Sequence, residues 1–171
     1  MPPRTFVAID LETTGLDPSK DAITEVGMVR FTLDATLERY SQLINPKQPI
    51  PPIVQRLTGI TNADVSQAPI FDSARLDIEK FLGDTPLIGQ NVSFDLAFLL
   101  RQGIEPRGTV WDTLELATLL DPSQQKRSLS ALAERYNIKA PLAHRALADA
   151  ETTSAVFVAL YKKANNLPDT L

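Results

Sequence analysis

Asp10-Leu11-Glu12 ends a short apolar run, and side chains two positions apart on a strand project from the same side of a sheet. Two carboxylates presented together in this way make a divalent-metal geometry. Acids at strand ends are also common simply because strands end in water, so the pair by itself does not define a site. A third carboxylate, Asp95, stands in Asn91-Val92-Ser93-Phe94-Asp95, within the first turn of a helix that Ser93 is expected to cap. The helix dipole favours an acid there by about 0.3–1 kcal/mol whatever its task, so position alone does not assign Asp95 to chemistry.

His144, the one histidine in the chain, precedes Asp149 by five residues in His144-Arg145-Ala146-Leu147-Ala148-Asp149. On a helix, at about 100° per residue, five positions would turn the two side chains roughly 140° apart. They can serve one site only if His144 lies in a loop ahead of the helix, which Pro141 just upstream favours. Alone, this hexad reads better as a surface histidine near a helix start.

These side chains have to be brought together by the elements around them. The apolar run Thr5 to Asp10 reads as a buried strand, with further strands over Ala22 to Leu33 and Leu37 to Ile44 turning at Asp34-Ala35. Such short connections favour an antiparallel meander. A proline-rich loop, Asn45 to Pro52, leads into a short helix, with Pro51 and Pro52 suited to its start and Gly59 to its C-cap. Phe71, Ala74, Ile78 and Phe81 recur at helical spacing, Pro86 to Gly89 is a short strand, and Ser93 to Arg101 is a helix. Thr109 to Trp111 reads as the last strand, before helices at about Thr113 to Leu120, Ser128 to Tyr136 and Arg145 to Ala164. Leu147, Ala150, Phe157 and Leu160 form the apolar stripe of that final helix. A meander followed by alternating helices and strands implies a mixed sheet covered by helices, an α/β arrangement in which carboxylates can meet at strand ends.

With 171 residues, the chain suits one domain over 1–171, with 165–171 as a tail or linker and the whole possibly cut from something longer. No segment approaches the roughly 18 consecutive apolar residues of a membrane span, and a cytoplasmic protein is expected. The absence of cysteine excludes disulfides, thiolate nucleophiles and sulfur-ligated zinc. A metal must then sit on oxygen or histidine nitrogen. The net charge of −4 argues against a broad basic face gripping phosphates. Lys126, Arg127, Arg145, Lys162 and Lys163 can form at most a modest phosphate-guiding rim, and solvated charge explains most of them better.

Taken together, Asp10-Leu11-Glu12-Thr13-Thr14-Gly15, Asn91-x-x-Phe94-Asp95 and His144-x-Ala146-x-x-Asp149, in that order, resemble the three motifs of the DEDDh, or DnaQ-like, family of 3′–5′ exonucleases. The resemblance runs from about Phe6 to Tyr161. It implies a ribonuclease-H-like fold with strand order 3-2-1-4-5. It also implies that Asp10, Glu12, Asp95 and Asp149 bind two divalent ions, Mg2+ or Mn2+, and that His144 is the general base. Leu57-Thr58-Gly59 resembles the family's loop against the terminal base, and Thr13 and Thr14 are candidates to approach the terminal 3′-hydroxyl. Asn91 and Phe94 belong to the second motif and count among the candidate substrate contacts. Many relatives have histidine where Gln90 stands. Asp112 is explained by helix capping, and Glu25 is expected to be structural.

The function implied by the resemblance is removal of nucleoside 5′-monophosphates from single-stranded or frayed DNA 3′ ends, in proofreading or repair. It resembles the epsilon proofreading subunit or domain of replicative polymerase III and exonuclease domains fused to helicases. A polymerase or helicase partner is therefore expected. The alternatives are an exoribonuclease that trims RNA and a noncatalytic nucleic-acid-binding module that keeps the fold.

Overall fold

The computed structural model describes residues 4–140 and 144–166. The expectation for Pro141 and most of the proposed 165–171 tail lie outside them. Three strands come first: β1 (Phe6–Thr13), β2 (Ile23–Phe31) and β3 (Thr36–Leu43), joined as an antiparallel meander. Strands β4 (Leu87–Gly89) and β5 (Val110–Asp112) add on the other side of β1, parallel to it, giving the order β3-β2-β1-β4-β5. This is the mixed five-stranded sheet and the order expected.

Period-two alternation along β1 sorts its side chains onto two cores. Val7, Ile9 and Leu11 pack with Val26, Met28, Ile78, Phe81, Phe98 and Leu99 on one face. Helices α3 (Phe71–Leu82) and α4 (Ser93–Arg101) supply the covering layer there. Phe6 and Ala8 face the other way, against Val29, Phe31, Ala150 and Phe157 of helix α7 (Ala146–Asn165). Continuing the alternation, Asp10 and Glu12 fall on the α7 face. Along β2, Glu25 and Gly27 share that face with Val29 and Phe31. Helices α5 (Thr113–Leu120) and α6 (Leu129–Arg135) join α7 through Ala117, Leu132, Val156 and Leu160.

Several boundaries differ from the expectations. Strand β1 runs three residues past Asp10, so Glu12 and Thr13 lie inside it, held by pairing with Glu25 and Ile23 of β2. Helix α1 (Pro52–Thr58) ends as expected at Gly59, whose φ of 72° places it in the left-handed region that favours glycine. An unexpected short helix, α2 (Asn62–Ser66), follows, started by a reciprocal cap between Thr61 and Asp64. The expected Ser93 cap is a correction. Val92 occupies the cap position with no side-chain bond, and Ser93 is the first helical residue, because Asp112 takes over the backbone just ahead of it. Among the described residues no helix is long and apolar enough to cross a membrane.

Candidate active site

Each candidate carboxylate reaches the site by a different local device. Asp10 and Glu12 lie on one face of β1, opposite Gly27 and Glu25 of β2. Strand β4 stops at Gly89, so β1 continues beyond its parallel neighbour. There Asp95 of α4 accepts a hydrogen bond from the Leu11 amide at 2.9 Å. That bond ties the first turn of α4 to the middle of the acidic pair on β1. Asp95 is 4% exposed.

His144 stands ahead of α7 with a φ of 64°, a conformation that β-carbon-bearing residues seldom adopt. The Asp149 carboxylate accepts the His144 amide at 2.8 Å and holds this turn from one helical turn below. One nitrogen of His144 and one oxygen each of Glu12 and Asp149 lie within 4.8 Å of one another. The histidine thus shares a site with carboxylates from β1 and α7, as a loop position permits and a helical one would not.

The electrostatics follow from convergence. Burial, then the carboxylates of Asp95, Asp149, Glu12 and Glu25, push Asp10 well above the usual carboxylate range. Glu12 is pushed up to about 7, by burial first and then by Asp149 and Glu25, with Arg145 pulling the other way. Burial carries Asp95 to about 8 in spite of the Leu11 amide. Asp149 is raised by burial and held back by the His144 amide. Like charges forced together in a partly desolvated place need cations. Four hard oxygen donors suit Mg2+ or Mn2+, and Asp95 and Asp149 each keep an oxygen beyond the one that binds a backbone amide.

The candidate substrate contacts divide. Leu57 is 55% exposed, and a β-carbon on Gly59 would meet nothing within 4 Å. Both therefore present open surface. Thr58 is buried, its hydroxyl donating to the Val54 carbonyl. Thr13 donates to the Gly15 carbonyl, while Thr14 donates to Asp21 and accepts from Ala22 and Gln48. The hydroxyls of these three threonines brace turns, which leaves the backbone as the part able to meet a ligand. Asn91 is exposed at a φ of 55°, and Phe94 packs against Phe98 at 5.0 Å between ring centroids.

Two residues read as structural in the sequence hold the site in place. Asp112 caps α5 through Leu114, and its two oxygens also accept the amides of Asn91 and Val92. Glu25, 1% exposed, binds both the Arg145 guanidinium and the Ala146 amide. The signal for Glu25 is an acid inside a largely apolar strand, which demands a buried partner. The proposed basic rim is largely engaged elsewhere. Arg145 faces Glu25, Arg127 donates to the carbonyls of Asp121 and Pro122, and Lys163 pairs with Asp121. Lys126 and Lys162 remain exposed.

Residues 7–157 match the family model described as Exonuclease, RNase T. The 3′–5′ exonuclease DinG of Staphylococcus epidermidis is 34% identical over 169 residues, covering 95% of this chain and 19% of that protein. The DNA polymerase III subunit epsilon of Aquifex aeolicus is 33% identical over 164 residues, covering 93% of this chain and 81% of that one. The chain spans only 11 to 27% of the longer curated relatives. Among solved structures, exonuclease X in complex with 5′ overhanging duplex DNA superposes with a TM-score of 0.80 at 28% identity, covering 95% of this chain and 94% of that one.

Proposed function

Since the chain belongs to the RNase T family of 3′–5′ exonucleases, we propose that it hydrolyses phosphodiester bonds at the 3′ end of single-stranded or frayed DNA, releasing nucleoside 5′-monophosphates. The observation that carries this reading is the meeting of Glu12, His144 and Asp149 within 4.8 Å beside Asp10 and Asp95.

Asp10, Glu12, Asp95 and Asp149 are the residues that would hold two divalent ions, Mg2+ or Mn2+. Bound there, such ions would supply Lewis-acid chemistry, activating a water and stabilising the leaving oxygen. The carboxylates would hold those ions where the scissile phosphate has to lie, and the Leu11 amide keeps Asp95 from swinging away. His144 accepts the proton of the attacking water at an imidazole nitrogen, on the accessible side of the site. Leu57 and Gly59 present the surface for the terminal nucleotide.

A net charge of −4 and a basic rim in which Arg145 and Lys163 are held by internal ion pairs support weak intrinsic capture of nucleic acid. The enzyme then works as a tethered activity in the cytoplasm, alongside a polymerase or helicase. The names of the epsilon and DinG relatives support that setting.

The test is digestion of matched end-labelled single-stranded DNA and RNA with Mg2+, Mn2+ or chelator, comparing wild type with Asp10→Ala. Metal-dependent shortening of DNA from the 3′ end, lost in the variant, is expected. A marked preference for RNA would replace the substrate. No shortening of either polymer would leave a binding module.

A further inference from the structure

We propose that Glu25 is a positioning residue for the reaction, setting His144 and Asp149 over the β1 carboxylates by anchoring the start of α7. This rests on the exonuclease reading above. Helix α7 has no side-chain cap of its own: Arg145 holds the cap position without one. Glu25, reaching from β2, accepts the Ala146 amide at 3.0 Å and so satisfies one of the otherwise unpaired first-turn N–H groups. Its negative charge also sits at the favourable end of the helix dipole. The same carboxylate receives Arg145 through Nε at 3.1 Å and Nη2 at 2.8 Å. A forked guanidinium contact of this kind fixes direction as well as distance.

The strand beneath is shaped for this docking. Gly27, on the same face of β2 as Glu25, lies so close to α7 that a β-carbon there would stand 2.1 Å from the Ala146 carbonyl carbon. Across the ladder, Gly27 pairs with Asp10 and Glu25 pairs with Glu12. The two β2 residues that seat α7 are therefore the direct neighbours of the two β1 carboxylates. His144 and Asp149 lie on either side of the anchored segment, linked to each other by the amide bond at 2.8 Å. Arg145 and Ala146, between them, have one partner in common, Glu25. Loss of that partner frees the segment to relax from the costly φ of 64° at His144.

Glu25→Gln removes the charge and places an amide donor against the guanidinium. Expected is a folded protein whose kcat on end-labelled single-stranded DNA falls about 10- to 100-fold, as for other residues that orient a ligand shell, with KM within about twofold because uniform substrate binding is untouched. A second readout needs no activity. His144 is the only histidine, so the imidazole C–H signals of the untagged protein come from one residue, and in Glu25→Gln they move towards their position in the urea-unfolded chain. Arg145→Lys keeps the Ala146 bond and removes the fork; it serves if Glu25→Gln does not fold, with the same direction of change expected. Unmoved imidazole signals with wild-type kcat in a folded variant would overturn the proposal. If wild type itself lacks nuclease activity, the exonuclease reading fails, and the imidazole signals still decide whether Glu25 positions His144.

Discussion

Asp149 accepts the backbone amide of His144 at 2.8 Å, across five residues of sequence. One carboxylate thus both belongs to the acidic cluster and closes the turn that presents the proposed base. The two residues should accordingly differ in what their loss does. His144→Ala removes only the imidazole and is expected to lower kcat by about 10²–10⁴-fold, the usual range for a general base. Asp149→Ala is expected to abolish turnover and also to release the turn. Single-turnover digestion checks the first, and proteolytic sensitivity around residue 144 checks the second. A His144→Ala enzyme with wild-type rates across neutral pH would remove the base assignment.

The raised carboxylates make stability depend on pH in a defined direction. Glu12 and Asp95 have folded values near 7 and 8, above their unfolded values. Their favourable contribution is complete below about pH 4 and is lost as pH rises through 7 to 8. The lowered acids, Asp17, Asp64 and Asp121, have the opposite sign: their contribution is present above about pH 4 and is lost only in more acidic solution. In chelator, the site therefore lowers Tm between pH 5 and about pH 8.5. A fixed concentration of Mg2+ or Mn2+, about 100 times its Kd at about pH 8.5, restores about 2.7 kcal/mol there and less at about pH 5, where the ligands are protonated. Calorimetry across that range, with and without metal, reads the effect. A metal-induced rise in Tm that is larger at pH 5 would contradict the linkage.

Asp95→Asn separates charge from shape. The amide oxygen can still accept the Leu11 amide, while the buried negative charge is gone. In chelator at pH 9 the variant is expected to melt above wild type by about 3 °C or more, taking about 2–4 °C per kcal/mol for a chain of this size. Its nuclease activity is expected to be lost. Lower stability than wild type under those conditions would show that burial of this charge is not the strain inferred here.

Leu57→Ala tests the proposed surface for the terminal nucleotide. At 55% exposure Leu57 contributes little to the core, so stability should stay within about 0.5 kcal/mol. KM for single-stranded DNA should rise about fivefold, the equivalent of about 1 kcal/mol of lost base contact. Unchanged KM would place the terminal base elsewhere.

Residue types and spacing singled out the candidate residues, and the chemistry followed from the family that their three motifs resemble when taken together. Two acids at alternate strand positions, one in a helix's first turn, and a histidine five residues before an acid can be read without coordinates because strand and helix periodicities are local. The same locality accounts for the meander of the first three strands, whereas the full order 3-2-1-4-5 was implied only by the family that the three motifs resemble. Contacts between distant residues are not written in any period. Leu11 meets Asp95 across 84 residues, and Glu25 meets Arg145 across 120. Tertiary structure alone decided that Arg145 pairs with Glu25, and that Asp112 rather than Ser93 binds the backbone ahead of α4. It also turned the hydroxyls of Thr13, Thr14 and Thr58 inward. The physical reason is common to all of these: a buried polar group must find a partner, and which partner lies within reach is settled only when the elements pack.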